Sequence, residues 1–557
     1  MRERAAVHET EVDGVRTVWA EVPGPLRAGL TVRVGWADET LVTSGITRLL
    51  ELLTRLAIGH PSGHSNSRVD QTALHFHCTG DDATVSDFVG SVSRHLADPP
   101  TARLAEGLGA VRTELAGRRS TIEDTLLAWR YGATTFGLNG QSQYVVDRVD
   151  ADQVAAWSRG HATRGNTALW LSGPPPAGLR LHLPEGAPTP VPDPRRTIQP
   201  QLPVWFSAPD SSGVALHALV PRDRSSRALA QVLRDRLTDR LRGQGAMAHP
   251  PRTDHRVVSR DLARLLAVSH LVDDRRQDAV GVFLSALTDL VEGAPVTDAE
   301  LAAWHRAEVR NATEPSMLVG LVAARAWDLL VGHTDDPVEH AVAAGRQVTA
   351  EGVAASARLA AATAVAAIPD GVAPPDGTWG RAAPTTDEPL SGVEVRGLDP
   401  SRAEVMVVSP EGLTWRCGGE HLTVVRDRVA AVLHWQDGRR VVIGEDANRI
   451  VVEPTMWLGG RSVVNHVDAV FAADLRVEQP ERSPRHIPQP PRTAAPVPPP
   501  SSAQRLWSIW WPRWKVLLMV LLAVGIAVAV VLTRRPGLLF WPLAVLAFRY
   551  WANRDAE

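Results

Sequence analysis

Residues 516–533 form an apolar run without a charged side chain, bracketed by Lys515 and Arg534-Arg535, and no other segment limits the possible architecture so strongly. A helix needs about 20 apolar residues to cross the hydrocarbon core of a bilayer, and this run approaches that length. Trp507, Trp510, Trp511 and Trp514 precede it, where an aromatic belt would lie at the lipid–water boundary. A second apolar stretch, residues 537–551, contains Pro542 and is short for a span, so it reads as a tilted second helix or an interfacial one. The expectation is a C-terminal transmembrane helix or hairpin within residues 506–557, with membrane lipid as a partner through residues 506–551. Cations flank the first span on both sides and leave its orientation open. The start, Met1-Arg-Glu-Arg-Ala-Ala-Val-His-Glu, lacks the apolar stretch of a secretory leader. The expected location is therefore a membrane, with the N-terminal soluble part in the cytoplasm.

What precedes the anchor is ordinary globular material, since 44% hydrophobic and 22% charged residues exclude a disordered chain. At 557 residues the chain is too long for one core. A net charge of −3 offers no concentrated basic face, so nucleic acid is not an expected partner. Lys515 is the only lysine, which marks a compositional bias toward arginine and not an arginine-dependent function. Cys78 and Cys417, the only cysteines, supply neither a disulfide framework nor a cysteine zinc site.

Periodicity divides the chain into segments. Residues 1–195 and 196–367 read as two α+β halves of similar order, which suggests an internal duplication. The first half opens with strands at Arg16-Thr-Val-Trp and Leu30-Thr-Val-Arg-Val, then a helix over residues 45–58, the strand Ala73-Leu-His-Phe-His-Cys and long amphipathic helices. The second repeats this with Val204-Trp-Phe, Gly213-Val-Ala-Leu-His-Ala-Leu-Val, a helix over residues 224–242 and a strand near residues 262–272. Residues 368–389 form a Pro/Gly-rich linker. Residues 390–478 alternate short Val-rich runs with turns, including Asp437-Gly438 as a tight hairpin, and read as a small β domain similar to a pleckstrin-homology-like barrel. Residues 479–505 form a Pro-rich spacer that would hold the soluble part off the membrane.

Gly35-Trp-Ala-Asp-Glu-Thr, followed by Ser44-Gly-Ile-Thr-Arg-Leu-Leu-Glu-Leu-Leu, resembles the insulinase, pitrilysin and mitochondrial processing peptidase family. The resemblance implies two homologous α/β sandwich domains, each an antiparallel sheet flanked by helices. It also implies a zinc site on a His-x-x-Glu-His helix, with a third, acidic ligand from a later helix. Aligning Gly45 with the family glycine puts Arg48, Glu51 and Leu52 at the His, Glu and His positions. The general-base position survives as Glu51, whereas Arg48 stays protonated and Leu52 has no donor atom. Glu114 resembles the third ligand, with Glu106 at a nearby acidic position, and the short gap from Leu52 to Glu114 implies a trimmed loop near residues 59–69. The expected metal and cofactor content is none, and Arg48 is expected to pair with Glu114 or Glu51 in place of the metal. In the second half, Arg242 resembles the family's substrate-holding Arg, and His249 falls near the position of its Tyr.

His60-Pro-Ser-Gly-His64 reads as a solvated loop, and Asp273-Asp274-Arg275-Arg276 as a solvated turn. His75 and His77 alternate around Phe76 and share one face of a strand. They leave open a rearranged zinc site built from Glu51, Glu114, His75 and His77, and hence an active metalloendopeptidase. The leading expectation is a membrane-anchored, catalytically inactive subunit that binds peptide or partners an active peptidase of the family, or itself as a homodimer. A membrane-associated scaffold with no peptidase role is a further alternative.

Overall fold

The computed structural model describes residues 7–490 apart from 60–63, 142, 145–147, 209–210, 244–245, 312–313, 334–344, 346, 375–378 and 384. The first half runs β1 (Val7–Val12), β2 (Val15–Ala20), β3 (Leu26–Val32), α1 (Ile46–Ile58), β4 (His64–Val69) and β5 (Leu74–Gly80). It continues through α2 (Asp82–Ala97), α3 (Leu104–Gly117), α4 (Ile122–Tyr131) and α5 (Ala151–His161) to β6 (Thr167–Leu171). Asp13 and Gly14, with φ of 49° and 78°, make the tight turn that pairs β1 with β2. The sheet order is β1-β2-β6-β3-β5-β4. All its pairings are antiparallel except β2 with β6, because β6 re-enters the sheet only after a long helical crossover. The expected antiparallel sheet is corrected to that extent.

The second half runs β7 (Val204–Ala208), β8 (Gly213–Pro221), α6 (Arg224–Thr238), β9 (Arg252–Val257), β10 (Leu262–His270) and α7 (Arg276–Glu292). Then follow α8 (Asp298–Asn311), α9 (Pro315–Val331), α10 (Ala350–Ala362), β11 (Val365–Pro369) and the short β12 (Gly380–Arg381). Its sheet order is β12-β7-β11-β8-β10-β9, in which β7-β11-β8-β10-β9 repeats β2-β6-β3-β5-β4 of the first sheet, including the parallel pair β7 with β11. The edge strand differs, since β12 follows β11 in the chain and runs parallel to β7, whereas β1 precedes β2 and runs antiparallel to it. The duplication suggested by element order is thus present in the topology.

Each half lends a helix to the other. Leu126 of α4 packs into the second sheet with Phe206, Ala215 and Leu266, and Trp129 stacks on Phe206 at 4.4 Å. In return, Val319, Val322 and Ala326 of α9 pack on Val18, Ala168 and Trp170 of the first sheet. The opposite face of the first sheet buries Leu30, Leu74 and Phe76 against Leu49, Leu50, Leu52 and Leu53 of α1. That face positions the candidate site.

The third region holds β13 (Val393–Arg396), β14 (Val405–Ser409), β15 (Gly412–Cys417), β16 (Glu420–Val425), β17 (Val429–His434), β18 (Arg440–Gly444), β19 (Arg449–Val452), α11 (Gly460–Val470) and β20 (Arg476–Glu478). Two four-stranded sheets, β13-β14-β15-β16 and β19-β18-β17-β20, and α11 enclose Met406, Leu413, Val442, Trp457 and Val467. Asp437-Gly438 lies in the β17–β18 hairpin, with Gly438 at φ 97°.

The segments on either side of this β domain are tied down. Ala382 N–H donates to the Trp205 carbonyl at 2.7 Å, and Thr423 N–H donates to the Thr386 hydroxyl at 2.7 Å. Arg482 bridges Asp437 and Glu453 at 2.7 and 2.9 Å. Among the described residues no helix is long and apolar enough to cross a membrane. The expected anchor, residues 506–557, and residues 491–505 of the spacer lie outside the described residues.

Candidate functional site

The acidic pair before α1 sets the helix in place. Gly35 admits no side chain, because a Cβ there would lie 2.3 Å from the Asp70 carbonyl oxygen. Asp38 accepts from Gly35 N–H at 2.7 Å and from Arg33 Nη1 at 2.9 Å. Glu39 caps the helix by accepting Gly45 N–H at 2.6 Å and Thr47 N–H at 2.9 Å, which satisfies amides that otherwise lack partners. Burial pushes the Glu39 carboxyl up to about 7, against the pull of those amides. Gly45 enters the helix at φ 99°, a conformation that favours glycine.

One turn into α1, the Arg48 guanidinium joins two carboxylates. Its Nε and Nη2 fork onto Glu114 at 3.0 and 2.6 Å, and its Nη1 donates to Glu51. The other Glu51 oxygen accepts from the Ser67 hydroxyl on β4. Glu51 is fully buried, whereas Arg48 and Glu114 are 26% and 45% exposed. Burial raises the Glu51 pKa, offset only in part by Arg48 and Ser67. For Arg48 burial works downward, but the Glu114 hydrogen bonds and both carboxylate charges outweigh it and raise its pKa. Glu114 reaches this point because α3 lies close on α1. The hydrogen of Gly107 faces Leu53, where a Cβ would meet Leu53 Cδ2 at 2.8 Å.

A guanidinium therefore fills the space between the two carboxylates, and Leu52, 1% exposed, belongs to the core. These residues do not fit the zinc that the resemblance calls for. A cation already neutralises the carboxylates, and the second histidine position offers no lone pair. Among the described residues no group of three or more His, Cys, Asp or Glu could hold a metal ion.

The rearranged alternative is not assembled either. Ser67 pairs with Phe76 and so shares the face toward α1, while His75 and His77 stand on the opposite face. His75 bonds Thr31 at 3.2 Å and lies 3.3 Å from the Asp70 carboxylate, and burial lowers the pKa of both histidines. The two share a face as the alternation requires, but it is not the face of Glu51. Glu106 pairs with Arg103 at 2.8 Å, away from Arg48. Arg242 is exposed in the turn that follows α6. His249 is exposed as well, its N–H donating to the His270 carbonyl at 2.8 Å. Neither lines the cavity at Arg48. His60 lies outside the described residues, and His64 opens β4 in solvent.

That cavity, about 180 Å³, is lined by Trp36, Glu39, Arg48, Glu114 and Arg118 among others. It shares Leu115, Arg118, Asn139 and Gln143 with a neighbouring cleft of about 520 Å³ that extends to Tyr144 and Gln479. The β domain packs beside them. Leu433, Val441 and Ile443 bury Leu41, Ala133 and Leu138, and Ala133 N–H donates to the Glu445 carbonyl at 2.8 Å. No sequence feature of that domain points to the site. Its contact residues are short apolar stretches with no motif, so only the apolar Leu41-Val42 just before α1 could have hinted at a partner.

No protein-family model matches the chain, and no curated protein matches it by sequence. Solved structures do. A protease from Helicobacter pylori superposes with a TM-score of 0.55 at 14% identity, over 66% of this chain and 100% of that one. A chain of complex III2 from Candida albicans gives 0.51 at 13% identity, over 65% and 95%. A peptidase M16 inactive domain from Pseudomonas fluorescens gives 0.50 at 11% identity, over 66% and 100%. With its two repeated α+β halves, this chain has the fold of the M16, insulinase-like peptidases, inactive domains included.

Proposed function

We propose that the chain is a membrane-anchored, catalytically silent subunit of M16 fold that holds peptide in its cleft or partners an active metallopeptidase. The observation that carries this reading is the Arg48 guanidinium seated between Glu51 and Glu114. A hydrolytic site needs an activated water, and the family's route to one is a metal held beside an available carboxylate. Here the carboxylate at the general-base position has one oxygen on Arg48 and the other on Ser67, so it is idle. The likeness to an inactive M16 domain and to a chain of a multi-subunit complex supports a binding role over a chemical one. Attachment to a membrane rests on the uncharged run at 516–533 with its tryptophans.

The test uses the full chain in detergent micelles, incubated with a peptide library and read by mass spectrometry. Peptides retained uncut, with or without a chelator, are the expected result. Cleavage that a chelator abolishes would overturn the silence and restore the metallopeptidase reading.

A further inference from the structure

Four large apolar side chains of the β domain stand in water, Val393, Leu398, Val451 and Leu458. Leu458 is 65% exposed and follows Trp457, which is buried and bridges antiparallel to Gly397. Leu398 N–H donates to the Met456 carbonyl at 2.8 Å and Leu458 N–H to the Arg396 carbonyl at 3.0 Å, which fixes the pairing. Side chains alternate across such a pair, so burying Trp457 sends Leu458 and the opposed Arg396 outward. Arg396 and Arg461 are both exposed, and among the described residues neither has a carboxylate partner. The nearby acids are engaged elsewhere, Asp399 with Ser401 at 3.0 Å and Glu404 with Arg402 at 3.3 Å.

The chain leaves the described body at this same corner. The Thr455 hydroxyl donates to the Pro488 carbonyl, and Arg485 and His486 beside it are exposed. From there a Pro-rich stretch leads to Trp507, the first of the four tryptophans before the apolar run at 516–533. From Pro488 to Trp507, an extended spacer at about 3.1 Å per residue reaches about 60 Å. The corner at Thr455 is thus the part of the body closest along the chain to the anchor.

We infer that Leu398 and Leu458, flanked by Arg396 and Arg461, dock on the headgroup layer of an anionic bilayer. The leucines enter the interface, and the guanidinia pair with lipid phosphates and carboxylates. This inference rests on the reading of residues 506–551 as a membrane anchor. Docking would fix how the body is presented to the membrane, which a spacer alone leaves free.

The test labels Ser462→Cys, beside the patch, with a polarity-sensitive fluorophore in a Cys417→Ser background; Cys78 is buried. The full chain is reconstituted into vesicles of phosphatidylcholine alone or mixed with phosphatidylserine, each carrying spin-labelled lipid. Flotation reports anchoring and fluorescence reports docking. The expected result is flotation with both vesicles and severalfold quenching with phosphatidylserine. The combined Arg396→Glu and Arg461→Glu variant should lose most of that quenching yet float as before. A protein that floats while its label stays water-like in every vesicle would overturn the docking and leave the anchor standing. A blue shift in detergent that grows with protein concentration would overturn it in favour of a second copy. Failure to float would overturn the anchor, and the docking with it.

Discussion

Three nitrogens of Arg48 are committed to two carboxylates, and one of those carboxylates, Glu51, has no contact with water. Arg48→Ala would leave Glu51 buried with only Ser67 to satisfy it. Unpairing a buried charge costs about 3–5 kcal/mol, but Arg48 is a quarter exposed and Glu51 can take up a proton. A loss of roughly 1–3 kcal/mol is therefore expected. Adding Glu51→Gln should recover part of it, and denaturant midpoints of both variants check the coupling. Purely additive losses would contradict a joint role. The pairing of Arg48 with Glu114 or Glu51 was legible through the family alignment, which puts all three residues around the metal's place, and the structure makes both contacts. Ser67 was not, because the segment read as a trimmed loop is strand β4. Period-two alternation grouped His75 with His77 but could not say which face looks at α1.

Among the elements, order along the chain carried the most information. Alternating strands and helices appear twice in the same order, and five strands of each sheet repeat it. The exchange of α4 and α9 between halves was not legible, since an apolar helix stripe does not name the sheet it covers. The junction of β9 with α6 makes a pH-dependent prediction. His255 bonds the Ser226 hydroxyl at 2.9 Å, and burial, reinforced by Arg227, pushes its pKa down to about 4 from 6.5. Burial also holds His217 well below its ordinary value. The unfolded chain binds these protons at a higher pH than the folded one. Their stabilisation is thus complete above pH 6.5 and is lost as pH falls toward 4. The slope reaches about 1.4 kcal/mol per pH unit for each histidine. The melting temperature should fall across that window, and less steeply in His255→Gln. An identical slope in the variant would contradict the assignment.

At the scale of the whole molecule, composition located the Pro-rich segments, but their contacts could not be read from it. Ala382, Thr386, Arg482 and Pro488 are hydrogen-bonded to the folded body, and the β domain buries Leu41, Ala133 and Leu138 beside the cleft. Ending the chain at residue 389 should expose that apolar surface and yield a product that aggregates or melts well below the full chain. A truncated protein with an unchanged melting temperature would contradict an integral β domain. Catalytic silence follows from the cation seated between Glu51 and Glu114. The most direct measurement is the zinc content of the intact protein, by elemental analysis after equilibration with excess zinc and removal of unbound ion. The prediction is zinc at background level, unchanged in Glu51→Gln. Near-stoichiometric zinc that disappears in Glu51→Gln would contradict it.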